Sequence, residues 1–342
     1  MKLLLRVVIV SLLLSALAAR AGDLEDGLAA YVKQKYSLAL HKFRSAADQG
    51  SANAQFCLGV MYGLGQGVAV DPVVALRWYR LAAQQGLAVA QHNVGNAYAA
   101  GLGVKQDSAQ AVGWYKLAAT QGFAAAQFAL GNAYLKGEGV DQQDLEEASS
   151  WYKMSAVQGY ALAQFALGSL YDSGKAEVHD PAEAVYWYTL AARQGDPDAQ
   201  LSLANAYRKG QGIERDDAEA ARWYTRSAEQ GLAAAQFNLG VSYAMGQGVA
   251  QDAAEAVRWY KMAAVQGHVP AQVNLGLSYF EGRGVAKDSI RALMWLQLAA
   301  ATGDKDATLN AELVARQMTP PQLEDAQRLA RDWQARKARA AR

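Results

Sequence analysis

AQFNLGVSYAMGQGVAQDAAEAVRWYKMAAVQG, residues 235–267, contains one full cycle of the chain's organisation. Ala235-Gln236 is followed by Leu239-Gly240, by Tyr243, by the turn Gly246-Gln247-Gly248-Val249, by Asp252, by Trp259-Tyr260 and by Gly267. Counted from Ala235, positions i, i+4, i+5 and i+8 share one helical face, which predicts a first helix whose apolar stripe includes a glycine. Ala256, Trp259, Tyr260 and Ala263 lie at i, i+3, i+4 and i+7 and predict a second. Asp252 is placed to N-cap that second helix, and Gly267 to follow its last turn as a C′ glycine.

The cycle recurs on both sides. Trp78, Trp114, Trp151, Trp187, Trp223, Trp259 and Trp295 are 36, 37, 36, 36, 36 and 36 residues apart, so seven of the eight tryptophans hold one position of one unit. The Ala-Gln pair returns at Ala54, Ala90, Ala126, Ala163, Ala199 and Ala271, and the tyrosine at Tyr62, Tyr98, Tyr134, Tyr171, Tyr207 and Tyr279. Asp71, Asp107, Asp144, Asp180, Asp216 and Asp288 repeat the N-cap, with Pro72 and Pro181 suited to the first helical position. A period of this length marks a solenoid, in which each unit buries its apolar face only against its neighbours. The glycine at Gly59, Gly95, Gly131, Gly168, Gly240 and Gly276 costs roughly 1 kcal/mol against alanine in a helix, so its return predicts close helix–helix approach. The tryptophans and tyrosines are expected on buried stripes, as core and not as a sugar-stacking row.

The exceptions place the boundaries. One extra residue between Asp141 and Glu147 makes the single 37-residue interval, and Gly174-Lys175-Ala176-Glu177 departs from Gly-x-Gly-Val, predicting a different loop. Lys42 stands where the tryptophan would be in Tyr36–Gly50, so residues 22–50 read as an N-terminal capping helix pair. Residues 51–303 hold seven repeats. Residues 304–342 read as C-terminal capping helices, with Thr319-Pro320-Pro321-Gln322 as a capping-box start and Leu323, Ala326, Ala330 and Trp333 as the buried stripe.

Lys2 and Arg6, the apolar run Val7–Leu17 and Ala19-Arg20-Ala21 before Gly22 follow the pattern of a cleaved secretory signal, assigning residues 1–21 to export. Removal of that segment leaves 30 basic against 32 acidic residues, which gives no case for nucleic acid. One cysteine, Cys57, cannot form an internal disulfide and reads as a small core residue. No nucleophile elbow, zinc spacing or Walker sequence is present, and His41, His92, His179 and His268 lie more than a unit apart. The Gly-x-Gly stretches follow helices and recur, so they are turns and not nucleotide loops. No enzyme, metal or cofactor is expected.

The cycle resembles the Sel-one-like repeat (SLR) family, a 36-residue relative of the tetratricopeptide repeat. Leu58-Gly59, Tyr62, Ala75 and Tyr79 meet the tetratricopeptide pattern, while Gln55 replaces its tryptophan and Trp78-Tyr79 enters the second helix. The resemblance spans roughly residues 24–318. It implies an all-α, right-handed superhelical solenoid of helix-turn-helix repeats acting as an adaptor for other proteins. Bacterial members are often exported and serve envelope assembly, signalling or host contact. Some exported relatives carry a disulfide in each unit, and this chain lacks those cysteines.

First helices of tetratricopeptide-like arrays line the concave side. The varying positions there include Asn93, Asn96, Asn132, Asn205, Asn238 and Asn274, a candidate ladder for hydrogen-bonding an extended peptide backbone. The alternative is that these amides solvate a groove or bond the next helix. From Arg328 to Arg342 six basic residues meet one acidic one, so the tail and the signal segment are the two possible membrane contacts. The resulting expectation is an exported scaffold in the periplasm, the cell envelope or the medium, binding other proteins or extended peptides. The competing readings are a polysaccharide-binding or structural envelope scaffold and, behind it, a hydrolase on the same repeats.

Overall fold

The computed structural model describes residues 22–174 and 179–340, which form eighteen α-helices with no strand among the described residues. The signal-segment reading of residues 1–21 and the loop reading at 175–177 lie outside them. The chain divides into two compact units, which meet in sequence at Ala163 and Gln164. In the first unit α1 (Asp23–Val32) pairs with α2 (Tyr36–Asp48), α3 (Ala52–Leu64) with α4 (Pro72–Gln84), α5 (Ala88–Ala100) with α6 (Ser108–Thr120), and α7 (Ala124–Lys136) with α8 (Leu145–Ala156). The next helix, α9 (Ala161–Ser173), begins at the boundary. The second unit continues through α10 (Pro181–Arg193), α11 (Pro197–Lys209), α12 (Asp217–Glu229), α13 (Ala233–Met245), α14 (Ala253–Gln266), α15 (Val269–Glu281) and α16 (Ser289–Ala300). It closes with α17 (Lys305–Ala315) and α18 (Pro320–Ala340), both packed on α16. The fold is an all-α solenoid of 36-residue helix pairs. Among the described residues no helix is long and apolar enough to cross a membrane.

Local chemistry sets the helix ends. The carboxylates of Asp71, Asp107, Asp144, Asp180, Asp216, Asp252 and Asp288 accept from free backbone N–H groups at the start of every second helix from α4 to α16. The backbone N–H of the same aspartate donates to the carbonyl of the first-helix tyrosine, as from Asp144 to Tyr134 at 3.0 Å, which ties the turn to the helix before it. Second helices end before a left-handed glycine, such as Gly122 at φ +85°.

Two glycine positions hold the array together, for different reasons. A Cβ on Gly131 would lie 2.6 Å from the Tyr152 ring and 3.2 Å from the Ala148 carbonyl oxygen, so the glycine admits the aromatic ring of its own repeat's second helix. The same partnership joins Gly59 to Tyr79, Gly95 to Tyr115, Gly168 to Tyr188 and Gly240 to Tyr260, while Gly276 meets Leu296. The second glycine of each Gly-x-Gly turn makes the contact between repeats. At Gly139, with φ +74°, a Cβ would run into the Ser108 carbonyl at the start of the preceding repeat's second helix.

This arrangement corrects the expected aromatic stripe. The deepest second-helix aromatic is the tyrosine beside the tryptophan, because it is the one that lies on the glycine. Tyr152 and Tyr224 are fully buried, whereas Trp78, Trp114 and Trp151 are only half-buried. Trp187, Trp223, Trp259 and Trp295 are buried as expected. The first-helix tyrosines are also half-buried, Tyr279 excepted, because their hydroxyls reach the surface; those of Tyr62 and Tyr98 accept from Arg44 and Arg80 at 2.7 Å.

The glutamine of the Ala-Gln pair has a role that a repeat marker does not reveal. In the first unit Gln91 donates to the Ala83 carbonyl of the preceding repeat at 3.2 Å and accepts from Gln121 at 2.7 Å. Gln127 likewise uses Ala119 and Gln158. In the second unit Gln200 uses Ala192 and Gln230, and Gln236 uses Ala228 and Gln266. All four of these Ala-Gln glutamines are buried. A buried amide must be paired, and these bond both the preceding repeat and their own second helix.

Candidate first-helix binding face

Of the six asparagines singled out from the sequence, three receive second-helix tyrosine hydroxyls on this face. The Asn96 oxygen accepts from the Tyr115 hydroxyl at 2.8 Å, Asn132 from Tyr152 at 2.7 Å and Asn205 from Tyr224 at 2.7 Å. Asn274 lies beside the Tyr260 hydroxyl, Asn238 donates to the Asn205 oxygen at 3.4 Å, and Asn93 is half-buried on α5. The face is therefore not independent of the core, since its amides receive the hydroxyls of the tyrosines that lie on the glycines. Asn96 and Asn132 come together in the first unit, and Asn205 and Asn238 in the second.

In the first unit a cleft of 560 Å³ opens between α5 and α7 above α6, and its walls include His92, Asn96, Phe128, Asn132, Glu138 and Tyr160. His92 was not singled out as a binding residue. The signal was available: His92 occupies the position held by Phe56, Phe128, Phe165 and Phe237 in other repeats. Its ring sits 5.4 Å from the Phe123 ring and 5.6 Å from that of Tyr115, and its Nε2 is 3.0 Å from the Asn96 amide nitrogen. Burial pushes the imidazole down to about 4, so it is neutral at neutral pH. In the second unit a smaller recess of 90 Å³ is walled by Asp172, Tyr188, Ser202, Asn205 and Lys209.

The other candidate reactive groups are committed to packing. Cys57 is fully enclosed, and burial pushes its thiol up to about 12, far from a reactive thiolate. His268 caps α15 and stacks on Phe237 with ring centres 5.0 Å apart. Among the described residues no group of three His, Cys, Asp or Glu side chains could hold a metal ion. Part of the basic tail is also used by the fold. Lys337 donates to the Gln266 carbonyl at 3.2 Å, Trp333 meets Trp295 edge-on at 5.8 Å, and Arg328 pairs with Asp325.

Repeated helix pairs joined by glycine–aromatic contacts and buried glutamines, with clefts along the first helices, define a repeat scaffold. The Sel1 repeat pattern matches residues 15–51, 52–87, 88–123, 124–160, 161–196, 197–232, 233–268 and 269–304, and the chain belongs to the Sel1 repeat family. The first match takes in α1 and α2, where Phe43 lies on Gly27 as the tyrosines lie on theirs. A Sel1 repeat protein from Oxalobacter formigenes is 35% identical, with 71% of this chain and 97% of that one covered and a TM-score of 0.64. A protective antigen present in uropathogenic Escherichia coli strains, displaying an SLR fold, is 34% identical over 87% of this chain and 72% of its own, with a TM-score of 0.58. No curated protein matches the chain. Proteins built from Sel1 repeats generally mediate protein–protein interactions.

Proposed function

We propose that this chain is an exported scaffold of the bacterial cell envelope that holds other proteins, or extended segments of them, on its first-helix face. The observation that carries the reading is a division of labour among residues. Those that recur in nearly every repeat make the packing, while His92, Asn96, Asn132, Asn205 and Glu138, which differ from repeat to repeat, give each cleft its own polar lining beside recurring residues such as Tyr115 and Tyr188. A pre-formed cleft on a packed scaffold binds without an ordering cost, so multivalent docking needs no chemistry from the scaffold. One point favours export: the signal pattern in residues 1–21.

The test is chemical crosslinking in the native envelope followed by mass spectrometry, comparing the natural chain with one carrying Asn93, Asn96, Asn132, Asn205 and Asn238 changed to Ala. The expected result is a defined protein partner in the envelope fraction whose recovery collapses in the substituted chain while that chain stays folded. Unchanged recovery from a folded variant, or a chain confined to the cytoplasm, contradicts the reading.

A further inference from the structure

The cleft of the first unit is polarised. Glu138 is its only acidic lining residue, and no lysine or arginine lines it. Glu138 is exposed and forms no ion pair among the described residues, so its carboxylate is not neutralised by a neighbouring side chain. It is the second residue of the connection that carries the extra residue. The connection from α7 to α8 runs from 137 to 144, eight positions, where the turns after α3, α5, α11, α13 and α15 have seven. From Gly137 to Tyr152 the chain carries Glu138, Asp141, Asp144, Glu146 and Glu147 and no basic residue. Of these only Glu138 lines the cleft, Asp144 caps α8, and Lys136 and Lys153 flank the stretch, so the negative potential at the cleft rests on Glu138 and is partly screened at physiological salt.

The interior of the cleft completes the picture. The Phe128 and Tyr160 rings stand 5.5 Å apart at 53° and present aromatic surface. The oxygens of Asn96 and Asn132 each take one tyrosine hydroxyl and keep a second lone pair. Aromatic faces, carbonyl oxygens and a carboxylate at the rim are the groups that receive a guanidinium or an ammonium: its stem lies on the rings, its N–H groups find acceptors, and its charge is met at the entrance. The recess of the second unit lacks this combination, since Lys209 stands in its wall.

We propose that the cleft between α5 and α7 is a specificity pocket for a basic side chain, arginine above lysine, on an extended protein segment, with Glu138 as its charge partner. The inference rests on the reading of the first-helix face as a docking surface and names the chemistry of what docks there.

The experiment pans the purified chain against a random heptapeptide display library and titrates the enriched peptides calorimetrically. It uses the natural chain, Glu138→Gln and, as a control on a half-buried second-helix carboxylate outside the cleft, Glu219→Gln. The expected peptides carry arginine or lysine at one fixed position, and replacing that residue with alanine weakens binding roughly tenfold, as loss of a central anchor does. Glu138→Gln weakens binding about fivefold with an unchanged melting temperature, Glu219→Gln leaves it unchanged, and raised ionic strength weakens only the Glu138-dependent part. Enriched peptides with no basic preference that still depend on Phe128 or Asn132 would overturn the pocket assignment and leave the docking face standing. Peptides insensitive to every cleft substitution, or none enriched, would remove both.

Discussion

Gly131 and Tyr152 show how a costly residue becomes the repeated one. A helix-interior glycine gives up roughly 1 kcal/mol to alanine, yet alanine here would put its Cβ 2.6 Å from a fully buried ring. The tyrosine hydroxyl then reaches the surface side of the first helix and is received by Asn132. His92 is the residue where packing and solution conditions meet. Unfolded, an imidazole takes its proton near 6.5; in the fold burial delays this to about 4. Between those values the unfolded chain binds more protons, so stability falls as pH drops from 6.5 to 4 and levels off below. The loss from this group is on the order of 3 kcal/mol. His92→Phe, which restores the residue found in four other repeats, should remove that part of the acid sensitivity. Melting curves of both chains from pH 7 to pH 4 check it, and parallel pH dependences would refute it. The glycine stripe and the N-cap aspartates were legible because each follows from backbone geometry. The order of burial between Trp151 and Tyr152 was not, since both lie on the same helical face by periodicity and only the glycine opposite decides between them.

At the level of helices, the unit of construction is a pair joined to its predecessor by two devices, the second glycine of the turn and the Ala-Gln glutamine. The glutamine could be seen to recur, but its role could not be read because its partners lie about 30 residues away, at Gln121, Gln158, Gln230 and Gln266. Those partners were visible too, as the Gln-Gly pairs closing second helices, and a joint reading of the two recurrences would have found them. The last repeat supplies the natural test. Gln272 donates to the Ala264 carbonyl at 3.1 Å, but Thr302 stands where the other repeats have glutamine. The Gln272 oxygen is accordingly buried without a hydrogen-bond partner. Thr302→Gln should return the missing donor and stabilise the chain by about 1 kcal/mol, the net worth of one buried hydrogen bond. Denaturant unfolding measures it; a variant no more stable than the natural chain would show that the glutamine pairs do not hold the repeats.

At the scale of the whole molecule, repetition and variation separate structure from function. Residues that return every 36 positions make the solenoid, and they were readable because repetition supplies its own alignment. The candidate binding residues were partly readable. Asn96, Asn132 and Asn205 were placed together on the first helices, as a peptide ladder or as amides bonding the next helix, but sequence spacing does not show the tyrosine hydroxyls that reach them from the second helices of their own repeats. His92 was weighed only as one of four histidines more than a unit apart, and Glu138 lay in a recurrent turn, so only the cleft brings them together. If partners meet this chain on its first-helix face, site-specific photo-crosslinking in the native envelope will capture them there. A photoreactive residue at Gln106 or Glu138, beside the cleft, should give one discrete protein adduct, while the same residue at Lys116 or Arg222, exposed on second helices, should give none. Adducts from Lys116 and Arg222 with none from the cleft positions would contradict the claim.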